Sequence, residues 1–235
     1  MRLYCCASLL APCAMLLLAA QVQADFVDHP HPLPTSSALP GFHGSTHWAL
    51  SGGIRHLDAN VDYAVFTPFA SADPHQYPRD LANLVPYSSF VQTFGPPKPT
   101  DYLYAYEIYN NTNSNDNFLF LSVGIDSDQL INSLARDLGA DPGGIDAALA
   151  FLGSDGAKYF MFFGGQGHEL APGEHSVVLI MSSPYAPTFR SSYIFSASGM
   201  TGEAFLPSPI PTPTAAIAGL VGLLSLAAWK LPRRQ

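Results

Sequence analysis

Eight stretches of this chain gather aromatic and β-branched residues into short runs, each closed by proline, glycine, asparagine or serine. That pattern constrains the fold more than any other feature. The runs are "STHWALS", "NVDYAVFTPF", "YSSFVQTF", "DYLYAYEIYN", "NFLFLSVGI", "AKYFMFFGG", "EHSVVLIMSS" and "SSYIFSASG". In the second, Val61, Tyr63 and Val65 alternate with Asp62, Ala64 and Phe66. Side chains alternate between the faces of a strand, and branched and aromatic side chains fit a pleated surface, so each run reads as a strand. About eight short strands separated by turn signals predict a mainly β fold, an antiparallel β-sandwich. "YNNTNSNDN", between two strong runs, reads as a hairpin loop, because asparagine tolerates left-handed backbone.

One stretch departs from this pattern, "SDQLINSLARDLGADPGGIDAALAFLGSDG". Leu130, Leu134 and Leu138 recur at helical spacing, Ser127 or Asp128 is placed to cap them, and Gly139 is placed to end the turn. The spacing predicts a short helix there and a second one from Ile145 to Phe151, with Pro-Gly-Gly separating the two. No internal repeat and no boundary between two domains is visible.

Both ends read as segments outside the folded body. Arg2, an apolar stretch from Leu3 to Ala20 and the small residues Val22 and Ala24 form a secretory signal peptide over residues 1–24, with cleavage between Ala24 and Asp25. All three cysteines (Cys5, Cys6, Cys13) lie inside it, so the exported chain holds itself together without disulfides or cysteine-bound metal. Residues 25–45 are rich in proline, serine and glycine and predict an irregular lead-in; residues 46–206 are the β-sandwich domain. A body of this size buries roughly 70% of its unfolded surface, enough for a core without cross-links.

Charge is divided along the chain. All 18 acids fall between Asp25 and Glu203 against six bases, a formal charge of −12 for the exported part. Such a surface argues against nucleic acid and against direct adsorption to anionic lipid or acidic polysaccharide.

Motifs for catalysis are missing. "HPH" (His29, His31) sits in the lead-in, and "HGSTH" (His43, His47) has zinc-like spacing only if helical, which Gly44 and the following strand-like residues oppose. "GHELAPGEH" (His168, Glu169, Glu174, His175) lacks the HExxH spacing and is broken by Pro172-Gly173. There is no G-x-S-x-G elbow and no phosphate-binding glycine pattern. The reading is therefore a protein that is not an enzyme and has no cofactor. A structural calcium ion has candidate ligands in Asn113, Asn115, Asp116 and Asn117, and in Asp126 and Asp128. In "DYLYAYEIY" Tyr102, Tyr104 and Tyr106 share one strand face, opposite Leu103, Ala105, Glu107 and Tyr109. Such a face fills a sandwich core more often than it stacks on sugars. An open tyrosine face would make the alternative function, a carbohydrate-binding surface module.

At the other end, Pro207, Pro209, Pro211 and Pro213 alternate with serine, isoleucine and threonine, and residues 207–214 read as an extended spacer. Residues 215–235 follow. Ala215 to Trp229 is uncharged, with Gly219 and Gly222 inside it, and Lys230, Arg233 and Arg234 close it. As a helix it is about 22 Å long against a hydrocarbon core of about 30 Å, a marginal membrane span with a basic stop and Trp229 at the interface.

Together, the signal, the cysteine-free β-rich body, Pro211-Thr212-Pro213, the helix Ala215 to Trp229 and the terminal Arg233-Arg234 resemble the bacterial PEP-CTERM proteins. In that family the tail is a sorting signal for an exosortase, a membrane transpeptidase-like enzyme. Thr212 stands where the family has a central glutamate. The stretch "HELAPGEHSVVLIMSSPYAPTF" is similar to the "L-x-PG" ending of sandwich domains that carry this tail, where Leu170 to Gly173 would turn into the last long strand. The resemblance implies export machinery, signal peptidase and an exosortase as partners, and anchoring in the cell envelope through the C-terminus or release to the cell surface. It further implies a structural or matrix role near biofilm exopolysaccharide. It supplies no catalytic residue.

Overall fold

The computed structural model describes residues 33, 37–68, 81, 84–88, 93–125, 131–138, 143–153, 157–161 and 169–210. Eleven strands make up its regular structure: β1 (Ala38–Gly52), β2 (Arg55–Phe66), β3 (Leu84–Pro86), β4 (Tyr102–Asn110), β5 (Phe118–Ile125), β6 (Ser133–Asp137), β7 (Leu149–Leu152), β8 (Ala157–Met161), β9 (Val178–Ser183), β10 (Pro187–Ser196) and β11 (Thr201–Pro209). They form a six-stranded sheet in the order β1-β2-β4-β9-β6-β3 and a five-stranded sheet in the order β11-β10-β5-β8-β7. Every strand pair is antiparallel.

The alternation in the sequence becomes a shared core. Leu57, Ala59, Val61, Tyr63 and Val65 of β2, with Tyr104, Tyr106 and Ile108 of β4, meet Leu121 and Val123 of β5, Phe160 of β8, Ile194 of β10 and Leu206 of β11. The six-stranded sheet also buries part of its other face. Ala64, Phe66, Leu103, Ala105, Ala135, Val178 and Ile180 pack there under Leu33 and Leu81. A sheet covered on both faces needs near-continuous apolar runs, and this is why "VVLIM" shows no alternation.

Four local expectations change. Among the described residues there is no helix. The first predicted helix is strand β6, which pairs with β9 on one side and β3 on the other. Leu134 fits either period, and β6 points it into the shared core while Ala135 packs on the opposite face. Burial on both faces outweighs helix propensity. The second predicted helix is edge strand β7, paired with β8. "YNNTNSNDN" is not a hairpin loop, because β4 and β5 lie in different sheets and it crosses between them. The body is also longer at both ends. β1 starts at Ala38 inside the expected irregular lead-in, and β11 runs through Pro207 to Pro209 inside the expected spacer. Proline is tolerated there because β11 is an edge strand, where a missing N–H need not break a ladder.

The crossing loop is tied to the tip of the β1–β2 hairpin. The His56 N–H donates to Asn115 Oδ1 at 2.7 Å, Asn115 Nδ2 donates to the Ile54 carbonyl at 2.8 Å, and Arg55 Nη1 donates to the Asn115 carbonyl at 2.9 Å. Gly53 turns that tip with φ of 65°. Replacing Asn115→Ala removes both side-chain bonds in exposed surroundings. The expected loss is about 1 kcal/mol, read from urea unfolding.

Candidate functional site

Polar residues concentrate on the outer face of the six-stranded sheet, beside the apolar patch under Leu33 and Leu81. Because β2 sends its odd-numbered residues from Leu57 to Val65 into the shared core, Asp58, Asn60 and Asp62 face outward. The ladder sets Asp62 opposite Ser45 of β1 and Glu107 of β4, and Asn60 opposite His47 and Tyr109. The turn before β9 brings in His175, whose ring stacks on Tyr109 with centroids 5.6 Å apart, and whose Nδ1 lies 3.6 Å from Glu107 Oε1.

The carboxylates in this band differ sharply. Asp58 accepts from His47 Nε2 at 2.9 Å and from Asn113 Nδ2 at 2.7 Å, with Asn111 Nδ2 as a third donor. Partial burial pushes its carboxyl up, but these donors outweigh that and hold it below its ordinary value. Asp62 is 0% exposed and no donor meets either of its oxygens in good hydrogen-bond geometry. Burial pushes its pKa up to about 6, and the neighbouring Ser45 hydroxyl offsets this only in part. Glu107 is 1% exposed. The sheet thus places two buried carboxylates directly across one strand pair, one beside an imidazole and the other beside only the Ser45 hydroxyl.

What this can do chemically is bounded by access. General acid–base work by paired carboxylates requires a substrate between them, and Asp62 and Glu107 present no surface to one. A buried negative pair instead calls for a proton or a cation. Among the described residues, no group of three His, Cys, Asp or Glu is placed to hold a metal ion.

The residues singled out in the sequence fall as follows. Ala24, Asp25, His29, His31, Asp126, Asp128, His168, Pro211, Thr212, Pro213, Ala215, Gly219, Gly222, Trp229, Lys230, Arg233 and Arg234 lie outside the described residues. Leu170 to Gly173 does form a turn, with Gly173 at φ of 89° and the Glu174 N–H on the Ala171 carbonyl. It leads into β9, but β10 and β11 follow, so β9 is not the last strand. The asparagine loop is occupied by internal bonds. Asp116 accepts from the Ser198 hydroxyl and backbone N–H, and Asn117 Nδ2 donates to Glu169 Oε2. His43 and His47 sit on β1, with His47 held by Asp58. Tyr104 and Tyr106 are wholly buried, with hydroxyls on the carbonyls of Tyr185 and Pro207, so they offer no face to a sugar.

Sequence reasoning noted Asp62 and Glu107 only as polar members of two strand patterns. A carboxylate inside an apolar strand run was the available signal; nothing in one sequence says that two such residues share a row. No family model, no curated protein and no solved structure matches the chain.

Proposed function

We propose that the chain is an exported, non-enzymatic surface protein whose antiparallel β-sandwich is carried to the cell envelope and held or released there through its C-terminal tail. The observation carrying this reading is the tail itself, Pro211-Thr212-Pro213, then Ala215 to Trp229, then Arg233-Arg234, with its resemblance to an exosortase sorting signal. The place of the tail supports it. β11, the last strand among the described residues, ends at Pro209, and the motif starts two residues later, so sorting or clipping there would leave the two described sheets whole. The cysteine-free composition of residues 25–206 is compatible with an exported body that is stable through its core alone.

Intact-mass measurement of the protein extracted from its native envelope tests this. The expected result is a chain starting at Asp25 and ending either near Pro213 or at Gln235. A chain that still starts at Met1 and is recovered only from the cytoplasm overturns the reading.

A further inference from the structure

We propose that Asp62 and Glu107 form a binding site for one hard divalent cation, calcium in preference to magnesium, on the outer face of the six-stranded sheet. The inference is independent of the export reading.

The geometry supplies the first part of the argument. Asp62 and Glu107 are direct partners in the β2–β4 ladder. Opposed residues have Cβ atoms about 4.5–5.5 Å apart, so both carboxylates can reach a common point a short distance above the sheet. Both are buried to within 1%, where a charge is tolerated only when met by an opposite charge or several donors. His175 Nδ1, at 3.6 Å, serves Glu107. Asp62 has only the neutral Ser45 hydroxyl beside it: neither of its buried oxygens is met by a donor in good hydrogen-bond geometry. Burial raises its proton affinity, and the Ser45 hydroxyl opposes this only in part.

The donor set then selects the ion. Ser45 lies beside Asp62 on β1 and Asn60 shares the face, with Asn60 Nδ2 turned toward Ser45 Oγ at 3.4 Å. The Asn60 amide oxygen is taken by Asn111 Nδ2 at 3.0 Å, which leaves carboxylate and hydroxyl oxygens, hard ligands that suit calcium with its flexible geometry, whereas magnesium demands a compact octahedron. Zinc favours nitrogen or sulfur ligands alongside carboxylates; the imidazole here, His175, faces Glu107 and stacks on Tyr109. With only two carboxylates the affinity belongs at the weak end, a dissociation constant of about 10⁻⁴ to 10⁻³ M. Calcium and a proton compete for Asp62.

The test is thermal unfolding of the full chain, first stripped with EDTA, then titrated with calcium or magnesium chloride to about 10 mM. Calcium should raise Tm by about 3–5 °C at neutral pH, magnesium by less, and the rise should shrink at pH 5 as the proton competes. Asp62→Asn and Glu107→Gln should each abolish the calcium rise, while Asp116→Asn, in the asparagine loop, should leave it intact. A wild-type Tm unmoved by calcium overturns the proposal. So does a rise that survives both Asp62→Asn and Glu107→Gln, or one that disappears only with Asp116→Asn.

Discussion

Truncating Tyr106 to alanine should cost about 3–5 kcal/mol, the largest single loss expected in this protein. The ring is wholly buried in the core that the two sheets share, so its removal takes contacts from both at once. Its hydroxyl donates to the Pro207 carbonyl on β11, a strand of the opposite sheet 101 residues away. That bond ties β4, near the middle of one sheet, to the edge strand of the other. Tyr106→Phe separates the two contributions. It keeps the ring and leaves a buried carbonyl without its donor, for an expected loss of about 1–2 kcal/mol. Equilibrium unfolding in urea reads both. If Tyr106→Ala costs less than Tyr106→Phe, or if either costs nothing, the packing described here is wrong.

Asp62→Asn should have the opposite effect, stabilising the protein at neutral pH by about 2 kcal/mol, with about 3 kcal/mol as the ceiling. The folded state raises this carboxyl from its ordinary 3.8 to about 6, so the folded chain holds the proton more tightly than the unfolded chain does. Stability from that difference is fully present below about pH 4 and is lost as pH rises through 6. Asparagine is neutral throughout and keeps the shape. Unfolding free energies in EDTA, measured from pH 4 to 7.5, should show wild type and Asp62→Asn diverging steadily over that window. Asp58 and Asp116 run the other way, because hydrogen bonds depress both and their contribution fades only as pH falls below the ordinary carboxylate range. They titrate in both proteins and cancel in the difference. Parallel pH profiles for the two proteins would show that Asp62 is not held in an environment hostile to its charge.

How much of this was legible in the sequence differs from element to element. Strands β2, β4, β9 and β10 are written in their own composition, since aromatic and branched side chains between turn residues have few other good conformations. β6 was not legible. Leu134 and its neighbours suit a helix when read alone, and only the places kept for them between β9 and β3 make them a strand. β11 was hidden for a related reason. Its prolines exclude a central strand, and whether they also exclude an edge depends on where the edge is.

The candidate site divides along the same line. That Asp62 and Glu107 belong to apolar strands is a local fact, available from "NVDYAVF" and "YAYEIY". That β2 pairs with β4 in the register that sets these two side by side, 45 positions apart, depends on strand order and register, which no local pattern encodes.

The sequence by itself determined the class of fold, the lack of disulfides in the body, its strong negative charge and the proline-rich, apolar, basic character of its tail, because each is a property of composition or short-range pattern. Only the tertiary structure decided which strands lie adjacent, which face of β4 meets the opposite sheet and which carboxylates are shut away from water. Those outcomes depend on contacts between segments far apart in the chain, where burial in a shared core outweighs the preferences of any one segment.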